Sequence, residues 1–280
     1  MTAPFTEELR PAQGFMFDLD GTLILSDKSL GGYTLLPGAV ELLSELETRG
    51  VPYLALTNGS AYPARVQGPR LRALGLPLSD DHLFTPNSVA AQLFADRGFE
   101  RVLVLGTPGV AEALNEDGIA TVFPGEEGAS QADAVYVAWH PECAMPHIHA
   151  ACEAVLGGAA LFTASDVPFF ASKGGRAFGY SCAISGAIAR VTGKEPEVTG
   201  KPSIHAMNYV AARLGVPSRG VVVIGDDPKV ETQMARLGDA IGIGVTTGTT
   251  SYEEWVACPP ERRPHRVIDR LEAIWGLGLI

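Results

Sequence analysis

Residues 14–22 read GFMFDLDGT, a short apolar run that ends abruptly in two aspartates, a glycine and a threonine. Two other stretches share that shape: VPYLAL (51–56) runs into TNGS (57–60), and GVVVI (220–224) runs into GDD (225–227). Apolar runs without polar alternation suit strands buried on both faces, as in a parallel sheet covered by helices. RVLVLG (101–106), DAVYVAW (133–139), ALFTA (160–164) and AIGIGV (240–245) continue the series. Between them, apolar residues three and four apart predict helices over 37–49, 62–74, 86–97, 182–191, 204–214 and 230–237. The pattern predicts an α/β chain on a doubly wound parallel sheet. In such sheets chemistry collects at the carboxyl ends of the strands, so the polar endings at 18, 57 and 226 are expected to meet in one crevice.

The chain has 280 residues, which favours two domains over one. Hydrophobic residues make up 46% and charged residues 19%, a composition that builds a core and excludes general disorder. A formal charge of −11 disfavours binding to a nucleic-acid backbone, yet leaves room for a phosphorylated small molecule where local cations reverse the field. Cys143, Cys152, Cys182 and Cys258 are scattered without a C-x-x-C pair, which predicts reduced thiols and neither a zinc site nor a disulfide framework. The first residues lack the basic start and apolar stretch of a signal peptide, and no apolar run approaches the ~20 residues of a membrane span. The expected setting is the cytoplasm, with no membrane partner.

Asp18 and Asp20 stand two apart at a strand end, where an extended chain points both side chains the same way. Two carboxylates held close repel each other, and a divalent cation relieves the repulsion; Mg2+ favours such oxygen ligands. One acid is then placed to attack phosphorus while the other gives or takes a proton. The bland alternative is an ordinary Asp-Gly turn after a strand.

FDLDGTL resembles the opening D-x-D-G-T motif of the haloacid dehalogenase superfamily. That resemblance implies a Rossmann-like core and an aspartyl-phosphate mechanism. Asp18 would be the nucleophile; Asp20 would protonate the leaving alcohol and then deprotonate the hydrolytic water. Mg2+ would sit on the Asp18 carboxylate, the Asp20 backbone carbonyl and the Asp226 carboxylate. Thr57-Asn58-Gly59 resembles the second motif, whose hydroxyl and backbone amide hold phosphoryl oxygens, as a strand-to-helix turn can. Lys201, before Pro202 in TGKPS, resembles the third; proline at the first helical position would leave Lys201 at the helix mouth, neutralising Asp18 and the phosphoryl group. GDD at 225–227 resembles the fourth, with a departure: it continues as GDDPKVET, placing Glu231 five residues after Asp226. Asp227 and Glu231 both remain candidates for the second acidic role, Glu231 reaching either metal-bound water or Lys201.

About 140 residues separate TNGS from GKPS, too many for a connection. The resemblance to 4-nitrophenylphosphatases, pyridoxal phosphatases, phosphoglycolate phosphatases and nucleotidases implies an inserted α/β cap. The expected divisions are core 1–98, cap 99–195 and core 196–280. By the same resemblance the loop Thr163-Ala164-Ser165-Asp166 would hang over the site, with Ser165 and Asp166 reading the leaving group; a surface turn before Pro168 is the alternative. Trp139-His140 closes a strand that would reach the cleft, while His147 and His149 are expected on a helix surface and not as metal ligands. The expected substrate is a small phosphorylated metabolite: a sugar phosphate, phosphoglycolate or glycerol phosphate, pyridoxal phosphate or a nucleoside monophosphate. A homodimer through the cap follows by analogy only. Competing activities on the same fold are phosphoryl transfer to a second hydroxyl, or dehalogenation, which needs neither Asp20 nor the acids at 226–227; a non-catalytic binding protein is the remaining alternative.

Overall fold

Two parallel sheets organise the chain in the computed structural model, which describes residues 5–26, 32–172 and 175–280. The chain opens with strand β1 (Gly14–Phe17), an antiparallel hairpin of β2 (Ile24–Ser26) and β3 (Tyr33–Leu35), and helix α1 (Ala39–Thr48). β4 (Tyr53–Leu56), α2 (Ala64–Ala73), β5 (Leu83–Phe84) and α3 (Pro86–Asp96) follow. Next come β6 (Arg101–Leu105), α4 (Pro108–Glu116), β7 (Ala120–Val122), β8 (Ala134–Val137), α5 (Met145–Leu156) and β9 (Ala160–Thr163). A hairpin of β10 (Phe169–Ser172) and β11 (Gly175–Phe178) leads to α6 (Tyr180–Thr192) and β12 (Glu197–Val198). The last stretch holds α7 (Ile204–Leu214), β13 (Val221–Gly225), α8 (Gln233–Leu237), β14 (Ile241–Val245), α9 (Tyr252–Val256) and β15 (Arg266–Ile268).

The first sheet has the order β15-β14-β13-β1-β4-β5, and the second β12-β9-β8-β6-β7. Every pairing in both is parallel. β1 lies at the centre of the first sheet, and its alternate side chains enter opposite cores. Phe15 and Phe17 pack with Leu42, Leu43 and Leu46 of α1, while Met16 packs with Met207 and Val210 of α7. Both faces are therefore covered, as the unbroken apolar runs require. The doubly wound α/β expectation stands.

In the second sheet, Leu103, Leu105, Val135 and Val137 pack on α5 and α6. The opposite face, with Val102, Val104, Tyr136 and Phe162, packs on α4 and on Ala90, Ala91 and Phe94 of α3. Val89 of α3 belongs instead to the core of the first sheet, so this one helix is shared by both layers. At the seam the buried Tyr136 hydroxyl donates to Asn87 Oδ1 (3.1 Å) and shares a hydrogen bond with Thr199 Oγ1 (3.3 Å), and Asn87 Nδ2 donates to the Ser60 carbonyl (3.0 Å).

Two local readings are corrected. The helix expected over 230–237 begins as a π-helical turn, Pro228–Thr232, and becomes α-helical only at Gln233. Pro202 is not the first residue of a helix: α7 starts at Ile204, capped by Ser203, whose Oγ accepts from Ala206 N at 3.0 Å. Removing the seam hydroxyl by Tyr136→Phe takes this donor from the buried Asn87 carbonyl. The expected cost is about 1–2 kcal/mol, read as a lower urea midpoint with an unchanged slope.

Candidate active site

Strand register brings the three polar endings together. Phe17 pairs with Ala55 of β4 and with Ile224 of β13. One residue on, Asp18 donates its N–H to the Ile224 carbonyl (2.9 Å), and Thr57 N donates to the Phe84 carbonyl (3.2 Å). Asp18, Thr57 and Asp226 thus leave neighbouring strands at one level. They line a cavity of about 270 Å³, together with Asp20, Asn58, Gly59, Lys201, Asp227 and Glu231.

The centre of the site is an ammonium held by two carboxylates. Lys201 Nζ lies 2.5 Å from Asp18 Oδ1 and 2.8 Å from Glu231 Oε1. Lys201 is 1% exposed and Glu231 2%. Burial pulls the lysine pKa down, but the attraction of Asp18 and Glu231 outweighs it and leaves the ammonium above its ordinary value. Burial pushes Asp18 above the usual carboxylate range against the pull of Lys201. Burial likewise raises Glu231 to about 8, with Lys201 opposing and Asp18 and Asp226 adding repulsion. Asp226 is pushed up to about 7, first by burial and then by Asp18, although Thr249 donates to it. One ammonium cannot neutralise three buried carboxylates. With all ionised, two negative charges remain, and the donors are hard oxygens, so the residues fit a hard divalent cation.

Local structure locks each group. Asn58 Oδ1 accepts from Lys201 N (2.8 Å) while Asn58 Nδ2 donates to the Lys201 carbonyl (2.7 Å), so this side chain clamps the lysine backbone. Gly200 must be glycine for that approach: a Cβ there would meet the Ala164 carbonyl at 2.3 Å and Asn58 Oδ1 at 2.7 Å. Gly21, at φ +86°, lets the loop after Asp20 pass Asp226, whose Oδ2 would meet a Cβ at 2.4 Å. Asp226 Oδ2 accepts from Thr249 N at 2.8 Å. Thr57 Oγ1 accepts from Gly59 N (3.0 Å), closing the turn that follows β4.

Of the two acids left open, Glu231 is the one on Lys201; the π-helical turn carries it there. Asp227 caps that turn, its Oδ1 accepting from Lys229 N (2.7 Å), and its own N–H donates to Glu231 Oε2 (3.2 Å). Asp20 is exposed at the mouth of the cavity, and its Oδ1 accepts from Ser26 N at 2.9 Å, anchoring the β2–β3 hairpin.

Ser165 and Asp166 lie elsewhere than expected. Neither is among the described residues lining the cavity, where Val167 and Phe169 are found instead. Ser165 is drawn into the turn: its Oγ accepts from Val167 N (3.2 Å), and its carbonyl accepts from Ser181 Oγ (2.9 Å) and Thr163 Oγ1 (3.1 Å). Asp166 is exposed. Trp139 does line the cavity, as do Tyr33, Gln67 and Thr249, which sequence inspection did not single out. Tyr33 and Gln67 stand in no polar strand ending, whereas Thr249 lies in TTGTT (246–250), a polar ending after AIGIGV that was passed over.

Residues 15–120 match the family model of the haloacid dehalogenase-like hydrolases, and residues 198–274 match that of the HAD-hydrolase-like proteins. The chain is 25% identical to the 5′-nucleotidase YutF of Bacillus subtilis over 264 residues, spanning 94% of this chain and 97% of that protein. It is 28% identical over 251 residues to a D-glycerol 3-phosphate phosphatase of Mycobacterium tuberculosis, spanning 89% of this chain and 67% of that one. Among solved structures, a p-nitrophenyl phosphatase from Archaeoglobus fulgidus has a TM-score of 0.83 at 25% identity, covering 95% of this chain and 98% of its own. A glycerol phosphate phosphatase from Mycobacterium tuberculosis in complex with magnesium has a TM-score of 0.81 at 26% identity, covering 94% and 76%.

The raised carboxylates set a direction for stability against pH. Between the ordinary carboxylate range and about 7 for Asp226, or about 8 for Glu231, the folded chain binds more protons than the unfolded one. Unfolding free energy therefore falls as pH rises through that window. Chelator-treated protein is expected to lose melting temperature from about pH 5 to about pH 8, and Asp226→Asn to flatten the decline. Equal slopes in variant and wild type, measured by calorimetry, would remove Asp226 as a source.

Proposed function

Because the chain belongs to the haloacid dehalogenase-like hydrolases and is a phosphatase, we propose that it hydrolyses a small phosphomonoester through an aspartyl-phosphate on Asp18. The observation that carries this reading is the Asp18–Lys201–Glu231 ion triad, standing beside Thr57 and Asp226 at aligned strand ends.

An Asp18 carboxylate oxygen forms a bond to phosphorus as the ester P–O bond breaks. Lys201 neutralises charge on Asp18 and on the phosphoryl oxygens, while the Thr57 hydroxyl and the Asn58 N–H receive those oxygens. Asp20, at the cavity mouth, gives its proton to the departing alkoxide. It then takes a proton from water, whose oxygen attacks phosphorus, releasing phosphate and restoring Asp18. Asp18, Asp226 and the Asp20 carbonyl would hold Mg2+, which would supply Lewis-acid neutralisation of the phosphoryl group. Glu231 keeps Lys201 oriented, and Asp227 shapes the turn that presents Glu231.

Residues 99–195 are proposed as a cap. Their contribution to the cavity, Trp139, Val167, Phe169 and Ala177, is apolar, and Tyr33 of the hairpin adds a further aromatic wall. A cavity of about 270 Å³ with such walls suits a small organic phosphate whose leaving group offers an apolar or stackable face. No helix among the described residues is long and apolar enough to cross a membrane. The four cysteines are free thiols, which supports a reducing, cytoplasmic setting.

With Mg2+, phosphate release is expected from 4-nitrophenyl phosphate and from at least one member of a panel of sugar, glycerol and nucleoside phosphates. Asp18→Asn is expected to reduce kcat by more than about 10³-fold, and full activity in that variant would exclude it as nucleophile. Since a cation displaces protons from the same carboxylates, Mg2+ is expected to raise the melting temperature more near pH 8 than near pH 6, as thermal unfolding at both pH values will show.

A further inference from the structure

The turn between β8 and α5 gathers three side chains with nitrogen or sulfur donors. His140, Cys143 and His147 each bring one ligand atom to within 4.8 Å of the other two, and all three residues are half-buried. The imidazole rings stack, with centroids 5.1 Å apart and planes inclined by 11°. His140 Nε2 lies 3.1 Å from His147 Nδ1. The expectation of a helix-surface histidine holds for His149, which is exposed and lies 3.3 Å from Glu153, but not for the half-buried His147.

Helix capping accounts for part of this arrangement. The Ala144 N–H donates to His147 Nδ1 at 3.2 Å, as an acceptor on the third helical residue does at a helix start. It gives no reason for a second imidazole and a thiol to arrive at the same point. Two imidazole nitrogens and one sulfur form a donor set suited to Zn2+, Co2+, Ni2+ or copper, whereas Mg2+ demands oxygen. The spacing H-x2-C-x3-H keeps all three donors within one turn, so the set is assembled locally.

We propose that His140, Cys143 and His147 bind a zinc-class divalent ion at a site separate from the all-oxygen aspartate cluster, with solvent completing the coordination. Cys143 loses its thiol proton to solvent as its sulfur takes the ion. Trp139 immediately precedes His140, lines the cavity and donates its backbone N–H to Ser60 Oγ at 3.1 Å. An ion held by the next residue braces the strand end that carries this wall.

Cobalt tests the site, because thiolate coordination gives it a near-ultraviolet charge-transfer band that oxygen ligands do not. The full chain, kept saturated with Mg2+ so that the aspartate site is occupied, is titrated with Co2+. The expected result is a thiolate-to-cobalt band that saturates at one equivalent and is absent in Cys143→Ser. His147→Gln keeps the thiol and removes one imidazole. It is expected to weaken cobalt binding by more than about tenfold, the least that losing even a supporting partner of a metal ligand costs. Urea midpoints of both variants establish that they fold. A wild type without the band, a band that survives Cys143→Ser, or His147→Gln binding cobalt as tightly as wild type overturns the proposal.

Discussion

A single buried ammonium holds the site together. Lys201 sits between Asp18 and Glu231 with almost no contact with water, and among the described residues lining the cavity neither carboxylate has another cation beside it. Such a cluster is not a device for stability, since removing ions from water costs several kcal/mol each and only good geometry returns it. Breaking one partner leaves an uncompensated charge in a dry place. The surroundings show how much structure serves this pairing. Asn58 grips both the N–H and the carbonyl of Lys201, Gly200 lets that grip close, and the π-helical turn delivers Glu231. Gly225 belongs to the same set, because a Cβ there would meet Glu231 Cγ at 2.0 Å.

The excess of carboxylates over cations carries a functional consequence. A phosphate ester is an anion, and a cavity whose described lining carries five carboxylates and one ammonium repels it. The same excess suits a hard divalent cation, which would offset that repulsion. Net charge over the whole chain, −11, gives no hint of this, because what matters is the balance within a few ångströms of Asp18. Shared contacts between the layers keep that balance in place. α3 packs on both sheets, and Tyr136, Asn87 and Ser60 link the second sheet to the turn carrying Thr57.

Much of the fold was legible along the chain. The long interior strands are unbroken apolar runs, and burial on both faces leaves no other composition for them. Strands β5, β7, β12 and β15 and the two hairpins, two to four residues each, were missed, because segments that short carry no period. The helix expected from 230 was displaced by a π-helical start, since side-chain spacing does not distinguish one helical hydrogen-bond ring from another over a single turn.

The amino-acid order alone determined that three apolar strands end in aspartates, a threonine and glycines, because polar residues at those ends have nowhere to go but a crevice. It also determined that a lysine follows a glycine before a helix. Only the tertiary structure decided which acid meets that lysine, since Asp227 and Glu231 differ by four residues and the choice depends on the hydrogen bonding of one turn. It decided, too, that Val167 and Phe169 face the cavity while Ser165 turns inward, because competition among Val167, Ser181 and Thr163 for the serine's hydroxyl and carbonyl is settled by packing and not by order along the chain.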